Sequence, residues 1–292
     1  MKQLSSGDRP LLSIVVPTMN SAAVLAPALQ SLADQTWRGF EVIVSDGAST
    51  DDTVAVAERF AAQLPAIRID TRPDTGVYEA INCGVRLARG IWFLVLGSDD
   101  RIHCADTLGL VATHLAASDE ASMVYGDVRM MAANHCGVQP GERYAGPMPL
   151  HRLFAINLCQ QAVFYRRSLF DVLGGFDLRY RLYADWAFNL RAAFQSPTQW
   201  IDVVIADYAA TGMSASGTDA VFLEALPELI RAELVRHSDQ RSTWPLQYHV
   251  LRCANRLRRR GEWGAAFTYI GTYLHLLARR IPVLLRQRQA HS

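Results

Sequence analysis

Four apolar runs alternate with three stretches of helical spacing in the first third of the chain, and this alternation constrains the fold more than any other feature. The runs are residues 12–17, 40–45, 67–69 and 92–96. Between the first two, Val24, Leu25, Ala28, Leu29 and Leu32 recur with helical period; residues 53–63 and 77–89 also read as helices, the last ended by Gly90. Repetition of strand, helix, strand means βαβ units, which build a parallel sheet covered by helices. Pro17 is expected to stop the first strand, Asn20 and Ser21 to cap the first helix, and Ser49 or Asp51 to cap the second.

The fourth run, Trp92, Phe93, Leu94, Val95 and Leu96, leads through Gly97 and Ser98 into Asp99 and Asp100. A strand this apolar is buried on both faces. The two acids therefore stand at the carboxyl edge of the sheet, where open α/β folds bind ligands. Neighbouring carboxylates repel unless a cation or hydrogen-bond donors offset their charge. A solvated turn capping the next helix is the plainer alternative.

The same edge collects Pro17, Thr18 and Asn20 after the first strand, Asp46 and Gly47 after the second, and Asp74, Tyr78, Glu79 and Asn82 around the third helix start. Asp46 can accept hydrogen bonds from a nucleobase or ribose, whereas capping alone accounts for Ser49, Thr50, Asp51 and Asp52. Asp74 has an N-cap explanation, and Glu79 that of a solvated first-turn acid. Asp185 opens a helix at residues 183–194, where an acid suits the macrodipole and where a carboxylate beside a cleft can act as general base toward a hydroxyl.

Further elements are expected as a helix at 105–117, strands at 123–125, 162–166 and 200–208, and a helical region from Phe222 onward. Residues 126–146, rich in Gly, Pro and small side chains, read as a hairpin or loop rather than core. The domain division expected is 1–220 and 221–292. The net charge of +1 gives no push toward nucleic acid, but residues 231–292 carry 12 arginines against 3 acids. A basic amphipathic helix lies on an anionic membrane surface or presents a solvated face on a helical hairpin; peripheral membrane contact is one expectation for this region. No apolar run reaches the roughly 18 residues a membrane span needs. Five scattered cysteines without a C-x-x-C pair fit a reducing cytosol. With a short polar start before Leu11, this makes a cytoplasmic location, extending to the inner face of the cytoplasmic membrane, the expectation.

G-x-G-x-x-G, G-x-x-x-x-G-K-[ST] and G-x-S-x-G are all absent, which weighs against a nicotinamide dehydrogenase, a P-loop NTPase and an α/β-hydrolase. No zinc spacing occurs among the eight histidines, although His103 stands near the acid pair.

In order along the chain, S-I-V-V-P-T-M-N from Ser13, D-G-A-S-T-D-D-T from Asp46, D-T-G-V-Y-E-A-I-N from Asp74, L-G-S-D-D ending at Asp100 and A-D-W at Ala184 resemble the large inverting glycosyltransferase family 2. The likeness spans residues 11–217. Y-G-D-V at Tyr125, N-L-C-Q-Q at Asn157, F-Y-R-R at Phe164 and R-Y-R at Arg179 are similar to bacterial transferases of the colanic-acid fucosyltransferase and mycobacterial PGL/p-HBAD types. The resemblance implies a GT-A, Rossmann-like α/β fold: a mostly parallel mixed sheet flanked by helices, here with a C-terminal helical extension.

It also implies roles. Pro17, Thr18, Asn20, Asp46 and Asp74 would hold the donor nucleotide, and Asp99 its ribose or the metal side. Asp100 would ligate a divalent cation, Mg²⁺ or Mn²⁺. Tyr78, Glu79, Asn82 and Trp186 would serve the donor sugar or acceptor, and Asp185, exposed and ionised without special tuning, would be the base of a single inverting displacement. The implied partners are a nucleotide-sugar, with fucose or another deoxyhexose as the sugar, and a saccharide or lipid-linked acceptor in cell-surface glycan synthesis. Residues 208–217 resemble the family's flexible loop after the last core strand. This chain departs from the common pattern at Ala184, Glu79 and Gln160, where many relatives have Glu, Asp and His. Two other readings are a sugar nucleotidyltransferase, disfavoured because residues 19–27 lack a Gly-rich phosphate loop, and a non-catalytic nucleotide-sugar-binding or scaffold subunit.

Overall fold

The computed structural model describes residues 9–133, 138–209, 217–237 and 246–289, with the side chains at 247 and from 279 onward outside that description. Residues 1–148 and 157–219 form one compact unit, and residues 149–156 and 220–292 a second.

In the first unit, β1 (Leu12–Thr18), β2 (Phe40–Asp46), β3 (Ile67–Thr71) and β4 (Trp92–Val95) are joined by α1 (Ala22–Ala33), α2 (Thr53–Glu58) and α3 (Val77–Leu87). They lie parallel, as the alternation predicts, and the structure sets their order as β3-β2-β1-β4. β5 (Arg101–Ile102), α4 (Thr107–Ala117), β6 (Met123–Met130), β7 (Arg143–Tyr144), β8 (Val163–Arg166), α5 (Arg167–Leu173), α6 (Ala184–Gln195) and β9 (Thr198–Tyr208) follow. β8 inserts antiparallel between β4 and β6, β9 pairs parallel with β6, and β5 closes the far edge antiparallel to β9. The sheet is mixed but mostly parallel. Chain order reverses between β1 and β4, the switch point at which open α/β sheets leave a crevice beyond the carboxyl ends.

Burial explains the composition of the strands. Leu12, Ile14, Val16, Val42, Val44, Trp92, Leu94, Val124 and Phe164 belong to one core shared with Leu25, Leu29 and Leu32 of α1. Every residue of β4 is buried, which accounts for its lack of polar alternation.

Several expectations are corrected. β1 does not stop at Pro17; Pro17 and Thr18 still pair with Ser45 and Asp46. A proline is tolerated there because β4 pairs only as far as Val15, so one side of the strand has no ladder left to break. α2 ends at Glu58 rather than near Gln63. Residues 126–146, expected as a hairpin or loop rather than core, do contain a hairpin, but residues 126–130 extend β6 into the core, with Val128 and Met130 fully buried. Arg143–Tyr144 returns to pair with that strand as a hairpin. The loop-like composition misled because Gly126 is needed inside a strand: a Cβ there would come within 2.5 Å of the Val203 carbonyl oxygen.

The second unit contains α7 (Ala220–Arg236), α8 (Leu246–Arg259) and α9 (Trp263–Gln289), with a 3₁₀ turn at Leu150–Phe154. Phe222, Leu226, Ile230 and Leu234 on α7 and Leu246, Val250 and Ala254 on α8 are buried at four-residue spacing. That spacing gives each helix one apolar stripe. Among the described residues no helix is long and apolar enough to cross a membrane.

Candidate active site

The carboxyl ends of β1 and β2 are tied together before any ligand is considered. Asp46, 1% exposed, accepts from Thr18 Oγ1 (3.1 Å), Ser49 Oγ (2.5 Å) and Ser49 N–H (3.0 Å). Asn20 Oδ1 accepts from the Thr50 N–H at 2.9 Å, and Asp51 accepts from the N–H groups of Ala22 and Thr53. Asp51 thus meets the start of α2 as expected, through the Thr53 N–H, and meets the start of α1 as well. Ser21 and Asp52 occupy the cap positions without a side-chain cap, and the loop after β2 satisfies the start of α1 instead. Asn20 (φ 49°) and Ala48 (φ 62°) both sit in left-handed backbone, which side-chain-bearing residues adopt only when their surroundings enforce it.

Two glycines let carboxylates approach this rim. A Cβ on Gly47 would lie 2.6 Å from Asp74 Oδ2, so the D-G pair after β2 makes room for Asp74. Burial raises the Asp74 carboxyl above its ordinary value, with Glu79 and Asp46 adding repulsion. At Gly97 a Cβ would meet Asp100 Oδ2 at 2.6 Å and Asp99 Oδ1 at 3.1 Å, so both acids present an oxygen to the same bare backbone. Ser98 Oγ donates to Ser21 Oγ at 3.2 Å, joining this turn to the end of β1.

Asp100 is 4% exposed, and burial, then the Asp99 charge, lifts its carboxyl to about 7. Its oxygens accept from Gln161 Nε2 (3.0 Å) and from the Ala209 N–H (3.0 Å). His103 does not join the pair; its Nδ1 lies 2.7 Å from Asp207.

Asp185, in the first turn of α6, is 7% exposed rather than the solvated carboxylate expected. Burial raises it to about 6, against the opposing pull of its hydrogen bonds. Tyr78 Oη lies 2.8 Å from Asp185 Oδ1 and also 2.8 Å from the Leu182 carbonyl oxygen. Asn157 Nδ2 donates to Asp185 Oδ2 at 2.7 Å. Behind Asn157 the chain of bonds continues, with Asn189 donating to Asn157 at 2.9 Å and Tyr165 to Asn189 at 2.7 Å.

Asn157 and Gln161 are the residues that motif reading left without a role. One five-residue segment, Asn157 to Gln161, binds Asp185 at one end and Asp100 at the other. Four peptide steps reach at most about 14 Å, so this short segment ties the two buried acids to one stretch of backbone. The N-L-C-Q-Q spacing was the available signal.

Other expected residues are engaged locally. Asn82 gives its amide to both backbone groups of Phe176 (2.8 and 2.9 Å) and holds that turn. Glu79 accepts from Thr75 N–H and Oγ1, closing the start of α3. Trp186 is buried edge-on to Tyr183. Pro17 and Thr18 are buried at the strand end, Asn20 is exposed and Asp99 half-buried. Most of the 208–217 loop, residues 210–216, lies outside the described residues.

A family model described as glycosyl transferase family 2 matches residues 13–137. A PGL/p-HBAD biosynthesis glycosyltransferase of Mycobacterium tuberculosis is 44% identical over 224 residues, covering 75% of this chain and 84% of the relative. Among solved structures, S. aureus TarS 1–349 in complex with UDP-GlcNAc superposes with a TM-score of 0.68 at 21% identity, over 90% of this chain and 81% of that one. The mannosyltransferase PcManGT from Pyrobaculum calidifontis, in complex with GDP-Man and Mn²⁺, gives 0.56 at 18% identity, over 93% and 88%. These solved neighbours share the GT-A fold. With a relative this similar over most of its length and a family model matched over the strands that carry the acids, the chain belongs to glycosyl transferase family 2.

Proposed function

We propose that this glycosyltransferase moves a sugar from a nucleoside diphosphate to an acceptor hydroxyl in one inverting displacement, with Asp185 as base and Asp99 and Asp100 at the diphosphate. The observation that carries the reading is the 157–161 segment, whose two ends bind both buried acids and support their serving one site. The acceptor O–H would give its proton to Asp185 while its oxygen attacks the anomeric carbon, and the diphosphate leaves with the electron pair of the broken bond. A carboxyl near 6 is mostly ionised at neutral pH yet basic enough to hold the proton it takes. On the sequence resemblance, Pro17, Thr18, Asn20, Asp46 and Asp74 serve the nucleotide side, and Tyr78, Glu79, Asn82 and Trp186 the sugar and acceptor side. For Asp46, Thr18 and Asn82 the bonds described make that service one of shaping the walls.

The acid pair fits a divalent cation. Two carboxylate oxygens share the bare face of Gly97, and the Gln161, Ala209 and Gly97 N–H donors take about three of the four lone pairs on the Asp100 oxygens, leaving one for a cation. Among the described residues no three His, Cys, Asp or Glu side chains cluster. That suits Mg²⁺ or Mn²⁺, which binds through one or two carboxylates together with substrate phosphates and water. When bound, the cation would neutralise charge on the departing diphosphate. Thermal shift with UDP, GDP and dTDP, each with and without Mn²⁺, tests the donor site: at least one is expected to raise Tm, by more with the cation. Tm unmoved by all of them would sink the reading.

For the sugar, the proposal is fucose or another deoxyhexose; for the acceptor, a saccharide or lipid-linked intermediate of cell-surface glycan synthesis. The names of the mycobacterial relatives support a glycolipid acceptor. The second unit supports cytoplasmic membrane contact. Arg252, Arg256, Arg258, Arg259 and Arg260 are exposed there, as are Tyr248 (64%), Trp263 (54%) and Phe267 (64%). Cations with exposed aromatics suit an anionic interface. The protein is expected to float with phosphatidylglycerol vesicles and not with phosphatidylcholine alone. Replacing Arg258, Arg259 and Arg260 by Ser should weaken binding by roughly 3 kcal/mol, about a hundredfold. Equal flotation of the triple variant refutes the contact.

A further inference from the structure

We propose that Tyr78 is a positioning residue for Asp185: it gives its single hydroxyl proton to the carboxylate while Asp185 is ionised and turns it to the Leu182 carbonyl once Asp185 holds a proton. The inference rests on Asp185 being the base of the reading above.

The argument is a count of protons. Tyr78 Oη sits 2.8 Å from Asp185 Oδ1 and 2.8 Å from Leu182 O. A phenol has one proton to donate, and neither a carbonyl nor an ionised carboxylate has any. With Asp185 ionised, Tyr78 can fill only one of the two contacts, and the charged acceptor is the stronger claimant. With Asp185 protonated on Oδ1, both are filled: the carboxyl O–H donates to Tyr78 Oη, and Tyr78 donates to Leu182. The exchange needs only rotation of the hydroxyl about its C–O bond. A buried carboxyl that must take up a proton in each turnover thus keeps a partner in both states, where an unmatched one would carry an orphaned polar group.

The remaining groups facing Asp185 do not duplicate this. Asn157, from the 157–161 segment, is a donor in either state. Tyr165 on β8 is kept neutral by burial and reaches Asp185 by hydrogen bonds only through Asn189 and then Asn157. Asp219 holds the Leu182 and Tyr183 N–H groups (2.9 and 3.4 Å), which fixes the carbonyl that Tyr78 would turn to. None of these is a cation, so the charge on Asp185 is met by Tyr78, by Asn157 and by the backbone N–H groups of Trp186 and of Asp185 itself. Burial raises the Tyr78 phenol well above its ordinary value, so it remains a neutral hydroxyl throughout.

Tyr78→Phe preserves the ring stacked on Phe176 at 5.8 Å and removes only the hydroxyl. The hydroxyl serves both protonation states, but its bond to the charged carboxylate is the stronger one and holds the Asp185 carboxyl down, so its loss should raise the Asp185 titration, followed by carboxyl-¹³C NMR. The acid limb of the kcat profile should rise with it while KM changes little. Introducing 3-fluorotyrosine at position 78, a stronger donor of the same shape, should shift both in the opposite direction, and it decides the matter if the Phe variant does not fold. An unmoved titration, or a kcat lowered equally at every pH, overturns the proposal. The NMR readout does not need Asp185 to be the base. Transfer retained in Asp185→Asn would sink that assignment while the titration still reports whether Tyr78 tunes the carboxyl.

Discussion

Asp185→Asn is expected to cut transfer by about 10²–10⁴-fold, the span a positioned general base contributes, while leaving nucleotide binding intact and making the fold more stable at neutral pH. The gain in stability separates this prediction from simple damage. The introduced amide resembles the protonated acid. Its NH₂ can donate to Tyr78, whose proton then goes to Leu182, and its oxygen can accept from Asn157, so every contact around the wild-type carboxyl keeps a partner. Burial lifts the folded-state carboxyl from 3.8 to about 6, so ionisation costs the native state about 3 kcal/mol relative to the unfolded chain. Below the unfolded value both states hold the proton and the variant gains nothing. Between the two values the native state holds more protons, so wild-type stability falls as pH rises, and the deficit is complete above pH 6. Urea unfolding below about pH 4 and above about pH 7 checks the sign. A variant no more stable than wild type at the higher pH would mean that Asp185 is not carrying a buried charge. The same buried carboxyl predicts that wild-type kcat falls below about pH 6.

The parallel half of the fold was legible because its signals are local. Apolar runs mark β1 to β4, helical spacing marks the elements between, and βαβ repetition makes the strands parallel, while their order comes from the structure. What was not legible depended on partners far along the chain. Pro17 reads as a stop unless one knows that β4 ends its pairing at Val15. Gly126 reads as loop unless one sees the Val203 carbonyl it admits. The candidate site divides in the same way. Asp46, Asp99, Asp100 and Asp185 stand out as acids at element ends, but burial is a tertiary property, and Asp185 was read as exposed. Asn157 and Gln161 stand in N-L-C-Q-Q without a visible role, because an amide in a loop has no chemical signature until the carboxylate it binds is known. The roles of Asp46 and Asn82 shift toward wall-building for the same reason: Thr18, Ser49 and the Phe176 backbone already occupy their polar atoms.

Asp100→Asn is expected to remove the cation-dependent part of nucleotide binding and to lower transfer by about 10²–10³-fold, the loss typical of deleting one preorganised electrostatic group at a developing charge. Shape is conserved, and Gly97 still admits the side chain. The wild-type oxygens accept from Gln161 Nε2 and the Ala209 N–H. The introduced amide can keep its oxygen toward Ala209 and turn its NH₂ to Gln161, whose own amide flips to present Oε1. The fold is therefore expected to survive, and the variant loses a charge rather than a scaffold. Nucleosides without phosphate should bind as before, because the contacts among Thr18, Asn20, Asp46 and Ser49 are untouched. Nucleoside diphosphates should bind more weakly, and Mn²⁺ should no longer add to the thermal shift they produce. Asp99→Asn, which removes a charge from the same face of Gly97 but not the bonds to Gln161 and Ala209, should reduce the Mn²⁺ increment without abolishing it. A full Mn²⁺ increment in Asp100→Asn would mean that the acid pair is not where the cation binds, and that Gly97 is bare for another reason.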